Sequence, residues 1–275
     1  MSPHDSSETS PTAVTTAIRL HGPDALPLLH RVSTNVLLDL APGEARPTLF
    51  CDFRGRLFHR AVVYLARDRA VWLLRDDAPG ADLAAFVDRV IFRDQVTLDD
   101  RSPELAVARL EPAEPTRERD GVPHRVTTGG ETLAVGDPAA PADERARILA
   151  GRPAHGHEIV EAYNPFEVGL GDEVHLDKGC FTGQEALQRL VTYDSVRRRL
   201  ARVVGRGQPP AVPAVLESEG ERVGSVTSVA GDGTERWIGL AVLRKEALGA
   251  ILTLDALPLL ESPEPLDAPR PLGRP

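Results

Sequence analysis

Between Leu200 and Leu254 the chain breaks into short apolar runs at nearly even spacing. Leu200–Val204, Ala214–Glu217, Glu221–Val229, Trp237–Leu243 and Ala250–Leu254 read as strands. Gly205–Pro210, Ser218-Glu219-Gly220 and Gly231-Asp232-Gly233 separate them. Short strands joined by such turns limit this part of the chain to a small antiparallel barrel. Trp237 is then expected in the barrel core, not as a stacking platform for a base.

Upstream the pattern changes. Thr15–Leu20 reads as a strand, and Asp24 as the N-cap of a helix carrying Ala25, Leu28, Leu29 and Val32 on one face. Thr48–Asp52 and Leu57–Leu65 flank a turn at Phe53–Arg56. A strand at Ala70–Arg75 follows, then a helix at Gly80–Val90 with Leu83, Phe86, Val87 and Val90 at i, i+3, i+4 and i+7. Further strands are expected at Gln95–Leu98 and Leu105–Leu110, a linker at Pro112–Pro123, and a hairpin around Gly129-Gly130. Asp143–Leu149 reads as a short helix. Antiparallel strands with helices between them give an α+β class, with ferredoxin-like lobes.

Composition narrows the function. The 275 residues carry 41 acidic and 32 basic side chains, a net charge of −9. That balance argues against a broad nucleic-acid surface. Arg197-Arg198-Arg199 has no interleaved aromatics and reads as a solvated hinge. No apolar run is long enough for a membrane span, and Met1–Pro11 lacks the apolar core of a signal peptide. The two cysteines, Cys51 and Cys180, make no disulfide framework and suit a reducing cytoplasm. They also fall short of the four ligands usual for an iron–sulfur cluster. His155, His157 and Glu158 have ligand chemistry. A zinc site needs further ligands at fitting distances, so the stretch reads as a Gly/Pro-rich turn and no metal is expected.

The densest chemistry lies in Lys178-Gly179-Cys180-Phe181-Thr182-Gly183-Gln184-Glu185. Thr182 and Glu185 have capping-box spacing, which starts a helix at Gly183. Cys180 then precedes a helix N-terminus, where anions are favoured. In an extended chain Lys178 shares its face. Both influences favour the reactive thiolate, although a lone Cys is more often a small buried hydrophobe.

KGCFTGQE closely resembles the signature of the YgfZ family, folate-binding proteins implicated in iron–sulfur cluster assembly or repair and relatives of the glycine-cleavage T-protein. Arg147-Ile148, Gly151, Pro153, Gly156, Glu158, Pro165-Phe166-Glu167 and Gly169-Leu170 resemble the pattern that precedes it in the same relatives. Gly224–Ser228 and Ile238–Ala241 resemble strands of their C-terminal barrel. Asn35 fits the opening motif, but Val36 stands where an Asp is usual. The resemblance implies a three-lobed T-protein-like α+β fold, with two α+β lobes and a C-terminal antiparallel β-barrel. Residues 15–50 and 105–196 would form a discontinuous folate-binding domain, 51–104 a second lobe and 197–260 the barrel. Residues 1–14 would be a disordered tail and 261–275 a loose one. It further implies that tetrahydrofolate or a derivative is bound and that Glu167 grips the pterin edge through two parallel hydrogen bonds. Gln184, Arg189 and Asn35 would contribute to the ligand site, and Cys180, assisted by Lys178, would be the working thiol. Iron–sulfur proteins are the implied partners, with no nucleic acid beyond a link to tRNA. A folate-dependent aminomethyltransferase and a non-catalytic folate scaffold are the alternatives; whether any reaction is catalysed stays open.

Overall fold

The computed structural model describes residues 15–110, 114–136 and 143–273. The expected disordered tail, residues 1–14, lies outside them. The chain separates into two compact units, one from Met1–Ala25, Ala41–Ala45 and Tyr64–Ala140, the other from Leu26–Leu40, Arg46–Val63 and Pro141–Pro275.

The first unit contains strands β1 (Thr16–His21), β4 (Val71–Arg75) and β5 (Thr97–Asp100), hydrogen-bonded antiparallel in the order β4-β1-β5. Ile18 lies opposite Leu73, and Leu20 opposite Leu98. Helix α2 (Gly80–Val90) buries Leu83 and Val87 and packs on β1 and β5. A second antiparallel sheet, in the order β6-β9-β8-β7, is formed by β6 (Val107–Leu110), β7 (Arg117–Arg119), β8 (Val122–Thr127) and β9 (Thr132–Val135). The hairpin at Gly129-Gly130 is present, whereas β7 falls within the stretch read as a linker. Three residues of alternating charge carry no apolar period, so that strand was invisible. The carboxylate of Asp24, expected to cap the helix that follows it, accepts the Gln95 N–H at 2.7 Å.

The second unit holds α1 (Ala25–Val32, Ala25 itself being the last residue of the first unit's opening segment), most of β2 (Ala45–Cys51) and β3 (Leu57–Leu65), α3 (Glu144–Leu149) and α4 (Gln184–Thr192). It also holds a seven-stranded antiparallel sheet. The strands are β10 (Arg198–Arg206), β11 (Ala214–Ser218), β12 (Glu221–Gly231), β13 (Arg236–Arg244), β14 (Thr253–Leu254), β15 (Leu257–Pro258) and β16 (Glu264–Pro265), in the order β15-β14-β11-β12-β13-β10-β16. One apolar cluster joins Leu49, Leu57, Phe166, Leu187 and Leu240, and a second joins Leu216, Trp237, Leu243 and Leu252. Trp237 is buried as expected. It lies opposite Gly205, where a Cβ would come within 2.1 Å of the indole, so only glycine fits there.

Three features depart from the sequence reading. Strand pairing places β1 with residues 71–100 and leaves α1 in the other unit, because long-range hydrogen bonds set the grouping and single-strand patterns carry no trace of them. Arg198 is not a solvated hinge: it opens β10 and pairs with Glu167. The Pro-rich segment after Glu261 is not loose. Leu266 donates to Leu200 O at 3.1 Å, and Leu272 to Val174 O at 2.7 Å.

Candidate functional site

Gly183 decides how the Lys178–Glu185 stretch folds. It is the N-cap of α4 with φ +85° and no side-chain cap. A Cβ there would lie 2.4 Å from Asp52 O and 3.2 Å from Gly55, so the β2–β3 turn approaches this backbone more closely than any other residue allows. The expected Thr182–Glu185 capping box does not form. Glu185 instead pairs with Arg189 one turn on, at 2.5 Å, on an exposed face.

Cys180 is exposed, whereas Cys51 is buried and burial pushes its thiol well above the usual range. Gly179, at φ +102°, turns the chain between Lys178 and Cys180, so the extended geometry expected to align the two side chains is absent. The Lys178 side chain is engaged with α1 and Phe181. Its ammonium donates to His30 O at the end of α1 and lies 5.2 Å from the centre of the Phe181 ring. Burial lowers its pKa to about 8. His30 accepts the Leu37 N–H on Nδ1 at 3.1 Å. Burial, and then the Lys178 charge, hold His30 below its ordinary value. Gln184 and Gln188 donate to Leu176 O at 2.9 and 3.3 Å, which ties the start of this loop to α4.

The other expected residues are placed as follows. Glu167 is 5% exposed. Its two oxygens take parallel bonds from Arg198 at 2.8 and 3.0 Å, one also accepts the Asn164 N–H at 3.1 Å in a capping box, and Arg56 lies 3.8 Å away. Arg198 thus makes the pairing that a pterin edge was expected to make. Arg189 faces solvent with Glu185. Asn35 is buried, donating to Pro47 O at 2.9 Å and accepting the Val36 N–H at 2.9 Å. Its neighbour Thr34 accepts the His175 N–H at 2.9 Å and donates to Glu173 O at 2.7 Å. Lys178 and Cys180 therefore share one loop, Gln184 opens the helix that follows it, and the Thr34-Asn35 turn braces the segment before it. Glu167 is held by the barrel strand β10, and Arg189 stands apart.

The histidine stretch serves packing. His155 Nε2 accepts the Arg60 N–H at 3.0 Å, and His157 Nδ1 lies 2.7 Å from Thr227 O. Glu158 is fully buried. One oxygen accepts Thr227 and Ser228 hydroxyls at 2.5 and 2.6 Å; the other accepts the Ala154 N–H at 3.1 Å and Arg147 at 3.2 Å. Sequence reasoning missed His30 and Arg198. The former had no motif around it; the latter could have been suspected as a counter-charge for a buried Glu167.

Residues 197–264 match the family described as CAF17, C-terminal beta-barrel domain. A chloroplast protein of Arabidopsis thaliana named as a transferase is 36% identical over 106 residues, 38% of this chain and 24% of its own. The aminomethyltransferase of Streptomyces avermitilis is 27% identical over 256 residues, covering 75% of this chain and 66% of that protein. That of Symbiobacterium thermophilum is 28% identical over 265 residues, covering 76% and 70%. The chain thus spans about a quarter of the first relative and about two thirds of the second. The crystal structure of the glycine cleavage system aminomethyltransferase T from Bartonella henselae superposes with a TM-score of 0.73 at 15% identity, over 90% of this chain and 82% of that one. The likeness is one of fold. No helix among the described residues is long and apolar enough to cross a membrane.

Proposed function

We propose, for a chain that carries the CAF17 C-terminal β-barrel domain within a fold like that of aminomethyltransferase T, a reduced-folate-binding role in iron–sulfur cluster assembly or repair, with Cys180 as the working thiol. The observation that carries this reading is the exposed sulfur of Cys180 on a loop pinned at Leu176 and Lys178. An exposed thiol can bind iron or a disulfide in transit. With Cys51 buried, the chain lacks the ligand set to keep a cluster of its own. The Lys178 ammonium, drawn to His30 O, positions the loop and leaves the sulfur accessible.

Folate binding is supported by the aminomethyltransferase relatives and by the motifs that resemble folate-binding proteins. Glu167 would grip a pterin only if Arg198 moved aside, since the guanidinium occupies the same two-pronged edge. Aminomethyl transfer is the second reading, favoured by the names of the relatives. A Cys180→Ala variant expressed in cells that depend on this protein separates the readings. Lost iron–sulfur enzyme activity, with tetrahydrofolate binding retained by calorimetry, is the expected result. Activity that survives the substitution leaves the scaffold role, and a wild-type chain that takes up no tetrahydrofolate defeats both folate readings.

A further inference from the structure

After the barrel, the chain returns to the segment that precedes Lys178. Pro265 lies opposite Ala201 in β16, and Leu266 enters the larger apolar cluster. The chain then crosses three glycines. A Cβ on Gly151 would lie 2.8 Å from Leu266 Cδ1, one on Gly169 3.2 Å from Asp267 O, and one on Gly171 2.0 Å from Pro269 O. Leu272 donates to Val174 O at 2.7 Å and accepts from Leu176 N at 2.8 Å. On the far side of that segment, His175 N donates to Thr34 O at 2.9 Å. Val174–Leu176 is therefore clamped between Thr34 and Leu272, two residues before Lys178.

We propose that residues 267–273 are a strap that fixes the loop carrying Lys178 and Cys180, and that peeling the strap from Val174–Leu176 frees this loop while the rest of the unit stays folded. The prolines at 269 and 271 favour an extended path and need no hydrogen-bond partner for their nitrogens. Leu266 and β16 anchor the chain independently upstream, so detachment can stop at Asp267. The strap acts whether or not a folate binds, so its test can fail without touching the proposed function.

Two variants of the full protein test it. One chain ends after Leu266; the other carries Gly171→Ala, whose methyl collides with Pro269 O. Trypsin cutting at Lys178–Gly179 is followed by mass, with the Arg270–Pro271 bond resistant to the enzyme. Alkylation of buried Cys51 in the same samples gauges global opening. Loss of two backbone hydrogen bonds is expected to speed this cut by about tenfold to thirtyfold, with Cys51 as protected as in wild type. Unchanged cutting in both variants overturns the strap. So does Cys51 alkylation that rises in step with cutting in both, because the segment would then be ordinary core. If the truncation alone exposes Cys51, the Gly171→Ala result decides.

Discussion

Replacing Glu158 by Ala tests the buried network that ties the Gly151–Ile159 turn to β12. The carboxylate is fully buried and satisfies Thr227, Ser228, the Ala154 N–H and Arg147. The two hydroxyls can rotate to other acceptors; Thr227 already reaches Leu240 O at 3.1 Å. The Ala154 amide cannot, and an unmet buried N–H costs about 1–3 kcal/mol. Arg147 keeps Glu144 at 2.7 Å but loses its buried partner. Breaking a buried pair costs about 3–5 kcal/mol, and the remaining partner places this case at the lower end. A total near 4–6 kcal/mol lowers the melting temperature by roughly 8–24 °C for a protein of this size. Glu158→Gln keeps the volume and should lose about half as much. Calorimetric melting of the three proteins, with and without a chelator, is the assay. An Ala variant melting within about 2 °C of wild type would refute the estimate. A wild-type transition that drops on chelation would restore the metal reading of His155, His157 and Glu158.

Gly183→Ala should cost about 2 kcal/mol or more in denaturant unfolding, from the clash with Asp52 O added to a left-handed backbone. Gly179→Ala, also at positive φ but with no atom within 4 Å of its Cβ, should cost only about 1 kcal/mol. Lys178 holds a proton less tightly when folded, at about 8 against 10.5 for a free side chain, so stability should rise as pH climbs through that window, where the unfolded chain binds the extra proton. The whole shift corresponds to about 3 kcal/mol, and partial solvent access reduces it to about 1–2; a Lys178→Met protein with the same slope contradicts the assignment. A water-soluble maleimide should modify one thiol of the native protein, Cys180, and two in denaturant; rapid double labelling without denaturant contradicts the burial of Cys51.

Much of the fold was legible because its signals are local. Helix α2 spans Gly80–Val90 as its apolar period indicated, and β3 spans Leu57–Leu65. The barrel strands begin and end within a few residues of their turns. What stayed hidden depends on partners far away in the chain. Lys178 meets His30 across 148 residues, and Glu167 meets Arg198 across 31. A one-dimensional pattern records that a side chain is charged, not what neutralises it. The capping box at Thr182–Glu185 failed for a related reason: the approach of Asp52 and Gly55 demanded glycine at the cap, and no local rule contains that contact. The ordered strap left one trace. That trace is Gly171, a glycine without positive φ whose reason, the approach of Pro269 O, shows only in the folded chain.

The interleaving of the two units sets an order for biosynthesis. A nascent chain that has emerged through Ala140 holds every residue of the first unit, yet the second, built from Leu26–Leu40, Arg46–Val63 and Pro141–Pro275, still lacks its largest piece. Leu49 and Leu57 must wait on the ribosome for Phe166, Leu187 and Leu240 to be translated. Contacts that bridge so much sequence form slowly, and the waiting apolar strands are the surface a chaperone would shield.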